Sequence, residues 1–356
     1  MPFSHRPLVK IEFEVGGTMQ KIAIIGAGFV GALHAAACHN SACLELAAIC
    51  DLNEKAGGAL AQKYGCASYT DAQTMLEESG AEIVDICVPT FLHKENILLA
   101  AAHKKHIVCE KPVTLTLGDM DEILAAVAGA GVKFMVAQVI RFWPEYLAVK
   151  KMYERGDFGQ VKMVCLNRLA QQPNWAGWHK DPARSGGGLY DLHLHDVDAA
   201  TFFFGEVERV YAVGWKSKTG CYNHVVSTLT FKNGVNAVVE GAWEMTENYP
   251  FTMSMRLVGE TRTAEYTMRA GFNLEDVASS QRDLYLFEDG KDPVKAEIDS
   301  SEDAYQTQLE YFAGCVEENR PPTVITPAQS REVIRIIGAI QRSIETGQAI
   351  DLSRAE

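Results

Sequence analysis

The sequence predicts an α/β protein in which a doubly wound parallel sheet is followed by a second α/β domain with an open, mostly antiparallel sheet. Three observations support this prediction. Short apolar runs alternate with helical stretches from Met19 onward, a glycine-rich turn follows the first of these runs, and long alternating runs fill the second half. Strands that alternate with helices indicate a parallel sheet covered on both faces, whereas alternation within a strand indicates one exposed face.

The predicted parallel strands of the first half are short and rich in β-branched residues. They read "KIAII", "LELAAIC", "EIVDICV", "KHIVCE" and "VKFMVAQV", and helical segments separate them. We therefore predict a first domain over residues 19–141 and a second over 142–356. Residues 1–18 form an N-terminal extension in which "KIEFEV" alternates charged and apolar residues, so no signal peptide is predicted. The extension is an additional edge strand, or else it precedes the natural start of the chain.

The glycine-rich turn, "GAGFVG", has the context of a dinucleotide-binding site. Gly26, Gly28 and Gly31 follow a strand and open a helix, and Asp51 ends the next strand 20 residues after Gly31. Gly26 permits the tight turn, Gly28 lets a pyrophosphate approach, and Gly31 allows close helix packing. The helix N-terminus favours the phosphates. Phe29 and Val30 complete the predicted cofactor-binding turn.

Asp51 favours NAD over NADP as the cofactor. Its carboxylate suits the two ribose hydroxyls of NAD and repels the additional phosphate of NADP. No arginine follows Asp51 directly, and Lys55 is the nearest cation in sequence, which leaves NADP as the alternative cofactor.

The second half predicts a sheet with one exposed face. Alternating runs such as "VKMVCLNRLAQ" and "VERVYAVGW" are linked by turns, among them Asn233-Gly234 and Asp289-Gly290, which suit two-residue hairpins. Two amphipathic helices end the chain. The open face carries Tyr211, Val213 and Trp215, or else the residues between them, and an exposed apolar face favours a homodimer or homotetramer.

Two stretches at the predicted carboxyl ends of parallel strands are candidates for ligand contact, because ligands of doubly wound sheets bind at that edge. In "CEKP", Glu110 is predicted to contact the cofactor, and Lys111 is held between Glu110 and Pro112. It either faces the cofactor or is an ordinary surface lysine. In "VPTFLH", Thr90 or His93 contacts the cofactor, or His93 only caps the following helix.

The stretch "SGGGLYDLHLHDVD" permits three interpretations. As a strand it places Asp191, His193 and His195 on one face, which with Asp196 suits a metal. As a helix that starts after the glycines it stacks Asp191 and His195 at i and i+4, an arrangement suited to proton transfer, while His193 points elsewhere. The third interpretation is a helix that these residues merely cap. The helical length of "DVDAATFFFG" favours a helix and therefore no metal.

Composition excludes several classes of partner. The formal charge of −13 and the lack of a basic cluster argue against nucleic acid. No apolar run approaches the ~20 residues that a membrane helix needs. The nine cysteines are scattered without a Cys-x-x-Cys, which predicts reduced thiols and a cytoplasmic location.

Taken in order, the quoted motifs resemble those of the Gfo/Idh/MocA family of NAD(P)-dependent oxidoreductases. The similarity extends over roughly Met19 to Leu352, with Glu-Lys-Pro and the Gly-Gly…Asp…His pair as its most specific marks. It implies a Rossmann domain followed by an α/β domain with an open antiparallel sheet, a cis bond before Pro112, and catalytic roles for Lys111, Asp191 and His195. It also implies a sugar, inositol or related polyol as substrate and assembly through the open sheet.

The sequence therefore predicts an NAD-dependent dehydrogenase of a cyclic polyol or sugar. His195, oriented by Asp191, would exchange the hydroxyl proton, and Lys111 would stabilise the charge on the same oxygen. Further candidates for substrate contact are Arg141, Trp178 and His179. Many family members have Gly in place of His193 and Trp-Arg in place of Trp178-His179. A metal-dependent hydrolase built on Asp191, His193 and His195, and a non-catalytic NAD-binding regulator, are the alternatives.

Overall fold

The computed structural model describes residues 19–172, 177–270, 280–298 and 303–353. The predicted extension over 1–18 lies outside these ranges. The described residues form two compact units. The first contains 19–142 and 303–334, and the second contains the remainder.

The first unit is built on a six-stranded parallel sheet. Its strands are β1 (Gln20–Ile25), β2 (Leu44–Cys50), β3 (Ala67–Tyr69), β4 (Ile83–Ile86), β5 (His106–Glu110) and β6 (Phe134–Ala137), in the order β3-β2-β1-β4-β5-β6. The order reverses between β1 and β4, and ligands of such sheets bind beside the carboxyl ends of the strands at that point. The predicted doubly wound parallel sheet is confirmed.

Five helices connect these strands: α1 (Phe29–Asn40), α2 (Glu54–Tyr64), α3 (Ala72–Glu78), α4 (His93–Ala102) and α5 (Leu117–Ala130). Side chains cap α2, α3 and α5, in which Asn53, Asp71 and Thr116 accept from the first turn. Helix α1 is different because its N-cap is Gly28, which has no side chain to offer. The N–H groups of its first turn therefore receive no side-chain cap, which matters for the site below.

The second unit contains a nine-stranded sheet within the described residues. Its strands are β7 (Val161–Gln171), β8 (Val207–Lys216), β9 (Tyr222–Phe231), β10 (Asn236–Met245), β11 (Thr252–Gly259), β12 (Thr263–Arg269), β13 (Gln281–Phe287), β14 (Val294–Lys295) and β15 (Ile350–Asp351). The order is β14-β13-β12-β11-β7-β10-β9-β8-β15. Neighbours are antiparallel except β7 and β10, which run parallel. The prediction of a mostly antiparallel sheet is confirmed.

Strand β8 shows the alternation that the sequence predicts. Val210 and Ala212 are buried, whereas Tyr211, Val213 and Trp215 are 42%, 51% and 53% exposed. The three exposed side chains share one face because successive residues of a strand point to opposite faces. We call these three side chains the exposed face of β8, a strand of the second unit.

The hairpin at Asn233-Gly234 is longer than predicted. Phe231 N–H donates to the Val235 carbonyl at 2.9 Å, and Gly234 N–H donates to the Phe231 carbonyl at 2.9 Å. The loop therefore has three residues, 232–234, rather than two. Gly234 has φ +86°, the left-handed conformation that closes a three-residue hairpin.

The remaining α-helices are α6 (Pro144–Glu154), α7 (Pro182–Ser185), α8 (Leu194–Phe204), α9 (Ala304–Glu317) and α10 (Pro327–Thr346), and a π-helical segment, Leu189–His193, leads into α8. Short 3-10 helices lie at Thr90–Leu92, Val139–Phe142 and Gly177–Lys180. Within the described residues none of the helices combines the length and the apolar character that a bilayer span requires.

Helix α9 packs with the first unit, whereas the predicted division placed it in the second domain. Its apolar residues Leu309, Phe312 and Ala313 are buried, and the helix contacts α1. Arg141 ties the next segment to the same unit by donating to the Val324 carbonyl at 2.7 Å. Sequence order did not reveal this return of the chain, because the packing partner of an amphipathic helix is not encoded in its period.

Candidate active site

The three glycines of the turn after β1 each meet a distinct steric demand. Gly26 has φ +108°, and a Cβ there would lie 2.5 Å from the Cys87 carbonyl oxygen. A Cβ on Gly31 would lie 2.0 Å from the Gly26 carbonyl oxygen, so α1 approaches the turn closely. A Cβ on Gly28 would meet nothing within 4 Å. Gly26 and Gly31 thus serve internal packing, and Gly28 leaves an open approach to the backbone.

The open approach at Gly28 coincides with the start of α1. Gly28 is exposed, and Phe29 and Val30 behind it are half-buried. Gly28 supplies no side-chain cap to α1, so the positive end of the helix dipole lies at this open approach and favours an anion. These residues fit the pyrophosphate of a dinucleotide.

Asp51 stands at the end of β2 with an oriented carboxylate. One oxygen accepts from Ala27 N–H at 2.7 Å, and the other accepts from Asn53 N–H at 2.7 Å. The first bond ties the carboxylate to the glycine turn and the second ties it to the start of α2. Leu52, the next residue, is 87% exposed. The carboxylate of half-buried Asp51 is therefore held beside the turn at which a dinucleotide would bind.

His93, predicted to contact the cofactor, has a different role in the structure. Its ring is 1% exposed, with Nε2 2.8 Å from the Val88 carbonyl oxygen and Nδ1 2.9 Å from that of Pro112. Burial lowers the pKa of His93. The ring joins the segments after β4 and β5, which leaves neither nitrogen directed at a ligand. Thr90, the other candidate of this stretch, is buried as well.

The Glu110-Lys111-Pro112 segment lies at the carboxyl end of β5. The Lys111–Pro112 peptide bond is cis, as the resemblance implied. Lys111 is half-buried, and its N–H donates to Glu110 Oε2 at 3.0 Å. Glu110 was predicted to contact the cofactor, but it is 7% exposed and its Oε1 lies 3.1 Å from His34 Nε2. Its carboxylate thus faces the interior of the unit.

In the second unit the stretch after the three glycines is helical, in agreement with the helical interpretation. Asp191 lies in the π-helical segment and His195 in the first turn of α8, and both are half-buried. His193 is fully buried, and its Nε2 lies 2.8 Å from Ser227 Oγ on β9. Burial lowers the pKa of His193 to about 3. His193 therefore lies in a different environment from Asp191 and His195.

The glycines before the π-helical segment allow close contact with the sheet. Gly186 and Gly187 have φ +71°. A Cβ on Gly188 would lie 3.1 Å from the backbone of Asn223, and Gly188 N–H donates to Asn223 Oδ1 at 3.0 Å. On β10, a Cβ at Gly241 would lie 2.9 Å from His193. Small residues on both sides are thus required for the helical segment to lie against the sheet.

Asp196 anchors the same helix through a buried ion pair. Arg168 on β7 reaches it with two bonds, Nε to Oδ2 at 3.2 Å and Nη2 to Oδ1 at 3.0 Å, and both side chains are buried. Burial raises the pKa of Asp196, and Arg168 opposes that rise. His193 and Asp196, which flank His195 in the sequence, thus bond to two different strands, β9 and β7.

These contacts contradict the metal interpretation of this stretch. A shared cation would require the ligand atoms of Asp191, His193 and His195 to converge, whereas His193 is directed to Ser227. Across 19–172, 177–270, 280–298 and 303–353, the group whose ligand atoms are spaced for a metal is His34, Asp85 and Cys87 in the first unit. The hydrolase built on the Asp191 cluster is therefore not supported.

The predicted substrate contacts divide into two kinds. Trp178 and His179 are half-buried and stacked with ring centroids 3.8 Å apart, and Trp243 packs edge-on against His179 at 5.4 Å. Arg141 is 1% exposed and donates to Val324 and Gln329. The substrate contact of Arg141 stays a prediction, and in the structure its guanidinium bonds to the segment beside α9.

Sequence reasoning missed the buried partners of the site residues. Arg168 and Ser227 lie on β7 and β9. No local sequence pattern indicates that these strands contact the helical stretch. Asp85 had a visible signal, because it is a charged residue within the apolar run "EIVDICV" and must find a partner when that strand is buried.

Two parts of the chain match the two domains of one protein family. Residues 20–138 match the oxidoreductase family with an NAD-binding Rossmann fold, and residues 146–265 match the GFO/IDH/MocA C-terminal domain. Together the two matches span most of the chain.

Curated relatives and a solved structure agree with these matches. The inositol 2-dehydrogenase of Rhizobium meliloti is 32% identical over 240 residues, covering 64% of this chain and 70% of that protein. The NADP-dependent D-xylose 1-dehydrogenase 2 of Haloferax volcanii is 28% identical, covering 86% of this chain and 92% of that protein. The solved structure of levoglucosan dehydrogenase in complex with NADH shares the fold, with a TM-score of 0.80 and 21% identity. The match covers 95% of this chain and 100% of that chain.

Proposed function

This chain belongs to the Gfo/Idh/MocA family of oxidoreductases, and from that premise we propose that it is an NAD-dependent dehydrogenase of a sugar, an inositol or a related polyol. The observation that carries the proposal is the partial exposure of Asp191 and His195 on a helical stretch whose His193 and Asp196 are committed to buried partners. The names of the relatives support the substrate class, since they act on inositol and on D-xylose.

The residues of the first unit fit a nicotinamide dinucleotide. Gly28 and the uncapped start of α1, with Phe29 and Val30, would hold the pyrophosphate. Asp51 would accept from the ribose hydroxyls, since its carboxylate is oriented by Ala27 and Asn53. The cofactor supplies, when bound, the acceptor or donor of the hydride.

The protein's own residues would manage the proton and the charge on the substrate oxygen. His195 in its neutral form would accept the hydroxyl proton during oxidation and return it during reduction. Asp191 would fix the tautomer of that imidazole and raise its basicity. The Lys111 ammonium would hold the same oxygen and stabilise its developing negative charge. Trp178 and His179 would also contact the substrate.

The defining experiment is a measurement of NADH formation with a panel of inositols, aldoses and sugar acids. We expect turnover with at least one cyclic polyol or sugar. The second candidate function, a non-catalytic NAD-binding regulator, predicts NADH binding without turnover on any member of the panel. Measurable turnover removes that candidate, and its absence with intact NADH binding contradicts our proposal.

Cofactor preference is expected to depend on Asp51. The wild-type enzyme should use NAD better than NADP, and Asp51→Ser combined with Leu52→Arg should reverse the order of kcat/KM. The double substitution removes the carboxylate that repels the additional phosphate and adds a planar bidentate partner for it. The single variant Leu52→Arg is the control, and it should keep the preference for NAD because Asp51 remains. A wild-type enzyme that already prefers NADP would show that the role assigned to Asp51 is wrong.

The exposed face of β8 is expected to form part of an interface between copies of this chain. Tyr211, Val213 and Trp215 place three large apolar side chains on one face of a strand, and such a surface favours association. Light scattering at micromolar concentration should therefore show a dimer or tetramer, and Val213→Glu should lower the measured mass. Leu52→Glu, at an exposed position in the first unit, is the control. A monomeric wild-type protein would contradict the expectation.

A further inference from the structure

Beneath the glycine turn, the first unit buries an ionic cluster of His34, Asp85, Cys87 and Glu110, which we call the His34 cluster. His34 lies on α1 and has no exposed surface. Its Nδ1 is 2.7 Å from Asp85 Oδ2 on β4, and its Nε2 is 3.1 Å from Glu110 Oε1 at the end of β5. The contact with Asp85 is an aligned hydrogen bond, whereas the contact with Glu110 is ionic. One imidazole therefore lies between two carboxylates from two neighbouring strands.

The two carboxylates on opposite sides of the ring favour the cationic form of His34, in which both ring nitrogens carry a proton. A neutral imidazole has one N–H and one lone pair, and here the lone pair would face a carboxylate. Burial lowers the pKa of His34, but the Asp85 carboxylate opposes this effect and holds that pKa well above its usual value. The other groups around the ring are Glu110, the Cys38 thiol of its own helix, and the Tyr305 ring of α9 at 5.5 Å. None of these is a competing cation.

The His34 cluster reaches Lys111 through Glu110. While Glu110 Oε1 faces His34, its Oε2 accepts from Lys111 N–H at 3.0 Å. The carboxylate is buried, so its orientation depends on these two partners. A shift of Glu110 would therefore move the backbone from which the Lys111 side chain extends. Misplacement of a catalytic group by about 1 Å can cost ~10²-fold in rate.

We propose that His34 is a positioning residue for Lys111, acting as a buried imidazolium that fixes Glu110 and thereby the Lys111 backbone. The inference rests on the proposed function, because it assumes that Lys111 acts on the substrate oxygen. Helix α1 also begins at the predicted cofactor site. His34 therefore connects two elements: the helix that would bind the pyrophosphate, and the end of β5 that carries Lys111.

The distances favour an ion pair over a metal at this cluster. The ligand atoms of His34, Asp85 and Cys87 lie within 4.8 Å of one another, a spacing that a cation could use. However, tetrahedral zinc bonds of 2.0–2.1 Å separate neighbouring nitrogen and oxygen ligands by roughly 3.3 Å, whereas His34 Nδ1 and Asp85 Oδ2 are 2.7 Å apart.

The test compares His34→Asn with His34→Gln. The asparagine amide nitrogen occupies approximately the position of Nδ1 and can still donate to Asp85. The glutamine amide nitrogen occupies approximately that of Nε2 and can replace the ionic contact with Glu110 by a hydrogen bond. Both variants lose the buried cation, so both should lower the melting temperature to a similar extent. We expect kcat of His34→Asn to fall at least ~10-fold below that of His34→Gln, since a displaced Lys111 costs rate. The Kd for NADH should be the same in the two variants.

Equal kcat in the two variants, or a lower kcat for His34→Gln, would overturn the inference, since a purely structural role changes stability without this order. Stoichiometric metal in the purified wild-type protein would overturn it as well. If either variant fails to fold, Glu110→Gln and Glu110→Ala replace the pair, and Glu110→Gln should retain the higher kcat because its amide oxygen still accepts from Lys111 N–H.

Lys111→Ala separates this failure from a failure of the proposed function. If Lys111→Ala retains turnover, the role assigned to Lys111 is wrong. If Lys111→Ala loses turnover while the His34 variants have equal kcat, the positioning role alone is wrong.

Discussion

Replacing His195 with alanine is expected to lower kcat by ~10² to 10⁴-fold, the range for a lost acid or base. His193→Ala should lower kcat far less, and should instead lower the melting temperature. His193 is buried against Ser227 and its pKa is lowered to about 3, so its imidazole is neutral near pH 7. His195 and Asp191 are both half-buried. The two histidines therefore separate a catalytic from a structural contribution within one short helical stretch.

Ser227→Ala provides the matched control for His193. It removes the hydrogen-bond partner of the buried imidazole and leaves His195 unchanged, so its stability loss should resemble that of His193→Ala. Chelator should leave the activity of the wild-type enzyme unchanged. Equal losses of kcat at His193 and His195, together with inhibition by chelator, would instead indicate a metal site and contradict the assignment of His195.

The pH dependence gives an independent measurement of the same role. For oxidation, kcat/KM should rise with pH in the neutral range, because only a neutral imidazole can accept the hydroxyl proton. His193 cannot produce this rise, since its pKa is about 3. The rise should persist in His193→Ala and disappear from the residual activity of His195→Ala.

Lys111→Ala is expected to lower kcat by at least ~10²-fold, the usual loss for one positioned charge that stabilises a developing oxyanion. The melting temperature should change by only a few degrees. Lys111 is half-buried, and the hydrogen bond that its backbone N–H donates to Glu110 does not involve the side chain. A large fall in kcat at nearly constant stability would therefore report on chemistry rather than folding.

Lys111→Gln tests whether charge or side-chain length is responsible. It retains a polar side chain of similar length without the cation, so it should lose nearly as much kcat as Lys111→Ala. Lys162→Ala, at an exposed position on β7, is the control for the general loss of one lysine and should leave kcat unchanged. A Lys111→Ala enzyme that is active but markedly less stable would show that Lys111 has a structural role.

Local pattern in the sequence was sufficient for the architecture of both sheets. The apolar runs between β1 and β6 predicted a parallel sheet, and the alternation of β8 predicted one exposed face. The structure assigns that face to Tyr211, Val213 and Trp215 and not to the residues between them. The spacing of the three glycines was interpretable as well, since the steric demands at Gly26 and Gly31 arise within one strand-turn-helix unit. Such features depend on residues that are close in sequence, which is why periodicity and turn chemistry reveal them.

The partners of the site residues depended on the tertiary structure. Helical spacing distinguished His193 from Asp191 and His195, but it could not show that His193 binds Ser227 on β9 or that Asp196 binds Arg168 on β7. Arg141 and His93 resembled ligand contacts in the sequence, whereas in the structure both bond to carbonyls of the protein itself. A period specifies which face of an element is buried, but the strand packed against that face is set by chain topology. For a buried polar side chain, the partner supplied by that topology decides whether it stabilises the fold or is available to a ligand.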